Sequence, residues 1–254
     1  MKKGLLPFLL LASLASIGWS PRTELAVARR GALLGPPDLA RQVRKHSTAF
    51  TEGVELPRRT EGSAAFRAEL AERRILELSE EIVRKLDERS PFEDIVRDLG
   101  SLSHWIVVAG DPLASCRDSR LPTYAADYAK YADALYDRLP RVYYGIDQAA
   151  FRGDGLSSIV RDARGRGSRL APFIGEEYYR SGRLRSSSDF DDLAVTFGVA
   201  SIALSHSASD IASLFTAVWR RANGDVRPLQ LASSAPGWRL APSLISTEVK
   251  EHKR

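Results

Sequence analysis

Residues 90–114, SPFEDIVRDLGSLSHWIVVAGDPLA, constrain this chain more than any other stretch. Phe92, Ile95, Val96, Leu99, Leu102 and Ile106 recur at helical spacing and form a core stripe. Past Ser103 the apolar character runs right round, because Trp105, Val107 and Val108 join it. A helix apolar on all sides must sit in the middle of its domain with other helices around it. Ser90, Pro91 and Glu93 predict its start, as a cap, a first-turn proline and a capping box. Gly100, Ser101 and Ser103 are small enough to let neighbours approach closely. His104 lies about 200° round the helix from Leu102, off the main stripe. A buried histidine there is either a satisfied core group or a site residue, and its position on the helix favours the first.

The remaining segments also read as helices. Apolar-periodic stretches span 23–34 and 37–54, separated by Gly35-Pro36-Pro37. Residues 63–89 form the cleanest amphipathic pattern, with Glu80–Arg84 and Glu81–Lys85 pairs on the wet side. After a loop at 111–122, Tyr124, Tyr128, Tyr131 and Tyr136 punctuate a helix over 124–139, as packing residues rather than a stacking platform. Shorter helices interrupted at Gly165-Arg166-Gly167 are expected over 141–182. Ser186 to Asp189 read as a turn and cap, and a second strong apolar helix covers 190–222, stopped by Asn223-Gly224. No strand pattern or repeat is evident. The expected fold is all-α, one multi-helix bundle of seven or so helices over 19–225, followed by a tail at 226–254.

The beginning of the chain reads as an export signal. Lys2 and Lys3 precede an apolar run, 5–17, that is too short to span a bilayer. Ser16 and Gly18 put small residues at the positions a signal peptidase reads, with Ala15 as an alternative cut. Residues 1–18 are therefore expected to be a signal peptide, and the protein secreted or periplasmic. No later stretch reaches 18 apolar residues, so no transmembrane helix is expected after cleavage. Cys116 is the single cysteine, so no internal disulfide can form. The formal charge is +5; losing Lys2 and Lys3 leaves 35 basic against 32 acidic residues. Net charge gives no nucleic-acid signal.

Side-chain constellations narrow the chemistry. Ser205-His206-Ser207-Ala208-Ser209-Asp210 invites a serine-hydrolase reading, with His206 and Asp210 four apart and Ser209 and Ser213 near. No strained nucleophile turn such as Gly-x-Ser-x-Gly accompanies it, so a polar helix seam is the expectation. Arg161, Arg164, Arg166 and Arg169 could cradle a phosphate, although such runs are usually solvated. The four histidines, at 46, 104, 206 and 252, do not converge by spacing. Asp111 follows His104 by seven residues, a rise of about 10.5 Å, too far for both to chelate one ion easily. Spacing alone identifies no zinc site.

The run Leu99-Gly100-Ser101-Leu102-Ser103-His104-Trp105, with Pro112-Leu113 after it, resembles the central helix of the zinc-dependent phospholipase C family, whose all-helical fold is shared with single-strand-specific nucleases. Three further features agree. Cleavage after Gly18 would expose Trp19, and mature family members begin with a tryptophan that binds metal through its amine and carbonyl. Residues 37–54 look like the family's second helix, and 204–225 like its last, which ends in Gly-Asp. The resemblance covers roughly 19–225.

The resemblance implies metal-assisted hydrolysis of a phosphodiester, with phospholipid or another phosphodiester as partner. The ligands depart from it. The family's first helix histidine falls on His104, but its aspartate falls on Val108 and its second histidine on Ala114. The next histidine and glutamate fall on Tyr128 and Ala132, and the early histidine on or near Glu24. The aspartate after the second helix falls near Arg58, with Glu55 the closest carboxylate. Trp19, Glu24 and His104 remain as candidate metal ligands, too few for three zinc ions. The expectation is a degenerate site without cofactor, mostly apolar, with His104 neutral and structural, in a non-catalytic binding or structural protein. The alternative is a phosphodiesterase working with fewer zinc ions.

Overall fold

A computed structural model describes residues 18–191, 193–226 and 238–241. The apolar run at 5–17 and most of the 226–254 tail lie outside the described residues. The described chain is all-α apart from one short strand pair. Its helices are α1 (Pro21–Leu34), α2 (Pro37–Lys45), α3 (Ser47–Glu61), α4 (Ala68–Asp87), α5 (Phe92–Gly110), α6 (Leu121–Leu135), α7 (Gly155–Tyr178) and α8 (Val195–Arg221). No helix among the described residues is long and apolar enough to cross a membrane.

Helix α5 is the axis of the domain. Every residue from Leu99 to Gly110 is buried. It packs chiefly on α3 and α4, and also on α7, α8 and α1. Its start differs from the expected capping box. The helix begins at Phe92 behind Pro91, with no side-chain cap. Ser90 instead helps to end α4. Its N–H donates to the Lys85 carbonyl, and that of Arg89, at φ 56°, to Leu86, which is a Schellman closure.

The tightest crossing is between α3 and α5. A Cβ on Gly100 would lie 2.3 Å from the Phe50 carbonyl oxygen, and one on Gly53 would lie 1.9 Å from that of Arg97. Only glycine lets the two backbones meet. One turn on, Pro57 has no N–H to give the Gly53 carbonyl. The Ser101 hydroxyl takes that carbonyl at 2.9 Å. The proline therefore leaves no buried acceptor unpaired, and the next residue, Arg58, is carried towards α1.

Residues 37–54 are divided at His46, where φ −111° and ψ 43° break the helix into α2 and α3. The Gly165-Arg166-Gly167 run does not interrupt α7. A Cβ on Gly167 would lie 3.1 Å from the Gly110 carbonyl oxygen, so small size serves the packing of α7 on the end of α5. All four tyrosines of the α6 region are buried in the core.

The strand pair was not evident in the sequence. Residues Arg141–Tyr143 (β1) pair in parallel with Trp238–Leu240 (β2), so part of the expected tail returns to the domain. A serine ladder holds the first of these strands on α8. Ser205, Ser209 and Ser213 accept the backbone N–H groups of Val142, Tyr144 and Asp147 at 2.9–3.0 Å. The Ser209 and Ser213 hydroxyls donate in turn to the carbonyls four residues back in α8.

Two substitutions test this account. Gly100→Ala should destabilise the protein by about 1–3 kcal/mol in denaturant unfolding, because the added methyl meets backbone that cannot yield. Ser209→Ala should cost about 1–3 kcal/mol and speed amide exchange at Tyr144, whose N–H loses its acceptor.

Candidate functional site

Three helices and a 3₁₀ turn converge on one buried carboxylate. Ser20 caps α1 by accepting the Thr23 N–H, and both hydroxyls donate to Asp133 of α6, at 2.5 and 2.8 Å. That anchor aims Glu24, in the first turn, inward, where it is 1 % exposed. The Arg58 guanidinium of α3 donates to Glu24 Oε2 from both Nε and Nη2, and Nη2 also reaches the Trp19 carbonyl at 3.1 Å. His104 Nδ1 lies 2.5 Å from Glu24 Oε1, and its Nε2 lies 2.9 Å from the Ala65 carbonyl. Ala65 belongs to the 3₁₀ turn Gly62–Phe66, which also sets the Phe66 ring 4.8 Å from the Arg58 guanidinium carbon.

The hydrogen-bond pattern decides the chemistry of His104. A carbonyl only accepts, so Nε2 carries a proton. Burial raises the Glu24 pKa, but His104 and then Arg58 more than offset this, and its carboxyl lies below the ordinary value of 4.5. His104 thus lies between two acceptors, the Ala65 carbonyl and the Glu24 carboxylate.

Asp111 completes the site from the other side of Trp19. Its Oδ2 accepts the Trp19 N–H at 3.1 Å and its Oδ1 the Leu113 N–H at 2.7 Å. Burial pushes its carboxyl up to about 7, against the pull of these N–H groups. No spacing rule connects Asp111 with Trp19 in sequence. The one legible signal was an aspartate at the end of a buried helix, followed by proline.

Trp19, Glu24 and His104 are thus brought together around Arg58 and the Glu24 carboxylate. Val108 and Ala132 are buried apolar residues, and Tyr128 is fully buried. Glu55 is exposed, and Arg58 turns inward in its place. The expectation of a mostly apolar filling is corrected: a guanidinium, a carboxylate and an imidazole occupy one side. This donor set does not fit zinc. Arg58 already covers the Trp19 carbonyl and Glu24 Oε2, and both nitrogens of His104 are taken up by Glu24 and the Ala65 carbonyl. Among the described residues no three His, Cys, Asp or Glu side chains cluster as a metal site.

The other constellations resolve as structure. Asp210 pairs with Arg166 at 2.5 Å, and His206 stacks on Tyr144 with ring centroids 4.2 Å apart. Burial raises the Asp210 pKa to about 6, with Arg166 opposing, while burial and then Arg166 lower that of His206 to about 4. Ser209 and Ser213 are held in the serine ladder. The arginines of α7 diverge: Arg166 turns to Asp210, and Arg161 lies 3.8 Å from Glu72.

No protein-family model, curated protein or solved structure matches the chain.

The low pKa of Glu24 gives a signed pH prediction. The stability it contributes is fully present above about pH 4.5 and is lost as pH falls through its lower folded value. Glu24→Gln should therefore unfold more readily at neutral pH and show a flatter loss of stability on acidification. Denaturant unfolding at pH 7, 5 and 3 measures both effects. Parallel curves for the two proteins would contradict it.

Proposed function

We propose that this is an exported helical protein built on a fold like that of zinc-dependent phospholipase C, with its metal chemistry replaced by a side-chain ion cluster. It acts as a non-catalytic binding or structural protein in the periplasm or outside the cell. Residues 1–18 are its signal peptide, removed to leave Trp19 first. A phospholipid or other phosphodiester is the ligand class that the resemblance implies. The observation that carries this reading is the position of Arg58. Its guanidinium bridges the Trp19 carbonyl and the Glu24 carboxylate, two groups that the resemblance assigns to metal. A fixed organic cation there meets the electrostatic need of a buried carboxylate. It offers neither an open coordination position nor a bound water to activate. Fold alone does not license hydrolysis, and these residues supply no replacement nucleophile.

Elemental analysis tests the reading. Protein purified without chelator should carry well under one zinc per chain. Two or three tightly held zinc ions per chain would overturn it and favour a phosphodiesterase with a reduced metal site. His104→Ala supplies a second check. It strands Glu24 Oε1 and the Ala65 carbonyl, and should cost about 1–3 kcal/mol in thermal or denaturant unfolding. Phosphodiester hydrolysis by the wild type that disappears in a folded His104→Ala protein would contradict a structural role.

A further inference from the structure

Among the described residues, Asp111 is a carboxylate with no cation of its own. It is 2 % exposed, and the donors within hydrogen-bond distance of its oxygens are backbone N–H groups. Arg58 and His104 are both committed to Glu24. Burying an unpaired carboxylate is costly, and such groups are normally paired or neutralised. The pocket around it is closed. Trp19 is 2 % exposed, and its ring lies 5.7 Å from that of Tyr128. The Tyr128 hydroxyl is buried, with no hydrogen-bond partner among the described residues. Gly18, at φ 131°, runs directly over Asp111, and a Cβ built on it would lie 3.2 Å from Oδ2.

The N–H that Asp111 holds is therefore the nitrogen of the Gly18–Trp19 peptide bond. We infer that Asp111 is the receiving site for the amino terminus created by cutting that bond, and that a buried Trp19 ammonium–Asp111 ion pair locks the mature fold. This rests on the processing at Gly18 proposed above. Hydrolysis adds one water across the bond: hydroxyl goes to the Gly18 carbonyl carbon and a proton to the Trp19 nitrogen. At neutral pH the new Gly18 carboxyl releases a proton and the new amine takes one up. An amide donor 3.1 Å from Oδ2 is thereby replaced by a full positive charge on the same atom. The departure of Gly18 opens space for the ammonium's additional N–H groups beside Asp111. Because Trp19 is buried once folded, the cut must precede folding. The leader-bearing chain then lacks the charge that Asp111 awaits, and the mature chain has it from the start.

A double-mutant cycle tests the pair. Four proteins are compared by denaturant unfolding at pH 7: the chain beginning at Trp19, the chain retaining Ile17 and Gly18, and Asp111→Asn in each. Asp111→Asn should raise the unfolding constant more in the Trp19 chain than in the extended chain, by on the order of tenfold or more. Failure to fold confined to the Trp19 Asp111→Asn protein is the same result in stronger form. An equal effect in both backgrounds would overturn the inference. If neither Asp111→Asn protein folds, acylation of the wild-type Trp19 amine by a succinimidyl ester decides. Strong protection in the native protein relative to the denatured one supports the buried pair, and equal labelling overturns it. Amino-terminal sequencing of the exported protein separates the two layers. A start other than Trp19 refutes the processing step, whereas a start at Trp19 with an additive cycle refutes the pairing.

Discussion

The Glu24 carboxylate is the point on which the interior of this protein depends. It is fully enclosed, and water cannot solvate it. Arg58 from α3 and His104 from α5 each donate to one of its oxygens, so a single negative charge on α1 ties three helices together. The backbone is arranged around this need. Gly53 and Gly100 bring α3 and α5 into contact, and Pro57 with Ser101 closes the hydrogen bonding one turn further on. Arg58 then arrives at Glu24 from one side and His104 from the other. Loss of any one partner leaves a buried charge or acceptor uncompensated, which is worse than never having had the pair.

Much of the architecture was legible because it depends on local periodicity. The all-apolar half of α5 could only be central, and the small residues Gly100 and Ser101 mark its closest crossing. What stayed hidden depends on partners distant in sequence. Ser205, Ser209 and Ser213 look like a catalytic motif because hydroxyls are ambiguous, and only the docking of 142–147 shows them as acceptors for backbone N–H groups. Gly165-Arg166-Gly167 reads as a breaker, yet packing against Gly110 keeps it helical. The strand pair escaped notice because three residues in each strand are too few for an alternating pattern to stand out. At the site, Trp19, Glu24 and His104 stand out in sequence only through the resemblance, as candidate metal ligands, and their mutual contacts come from the fold. In sequence, Arg58 marks only a missing aspartate, and Asp111 is too distant from His104 to suggest a link. Both belong because Trp19 lies between them, accepting from one through its carbonyl and donating to the other through its nitrogen.

The functional account follows from how charge is balanced here. A metal cluster neutralises carboxylates and leaves open positions for substrate. Here the Arg58 guanidinium and the His104 imidazole hold the Glu24 carboxylate through directed hydrogen bonds. Such a centre holds helices in register, and the non-catalytic role proposed above rests on that arrangement.

The central claim is that Glu24 and Arg58 stabilise the protein as a pair, each existing to compensate the other. The direct measurement is unfolding free energy for Glu24→Leu, Arg58→Leu and the double variant. Each single variant should lose about 3–5 kcal/mol, because it strands a buried charge, and the double variant should lose clearly less than the sum, with His104 and the Trp19 carbonyl still short of a partner. A double variant that loses the sum of the two single effects would show that the residues act independently and would contradict the account.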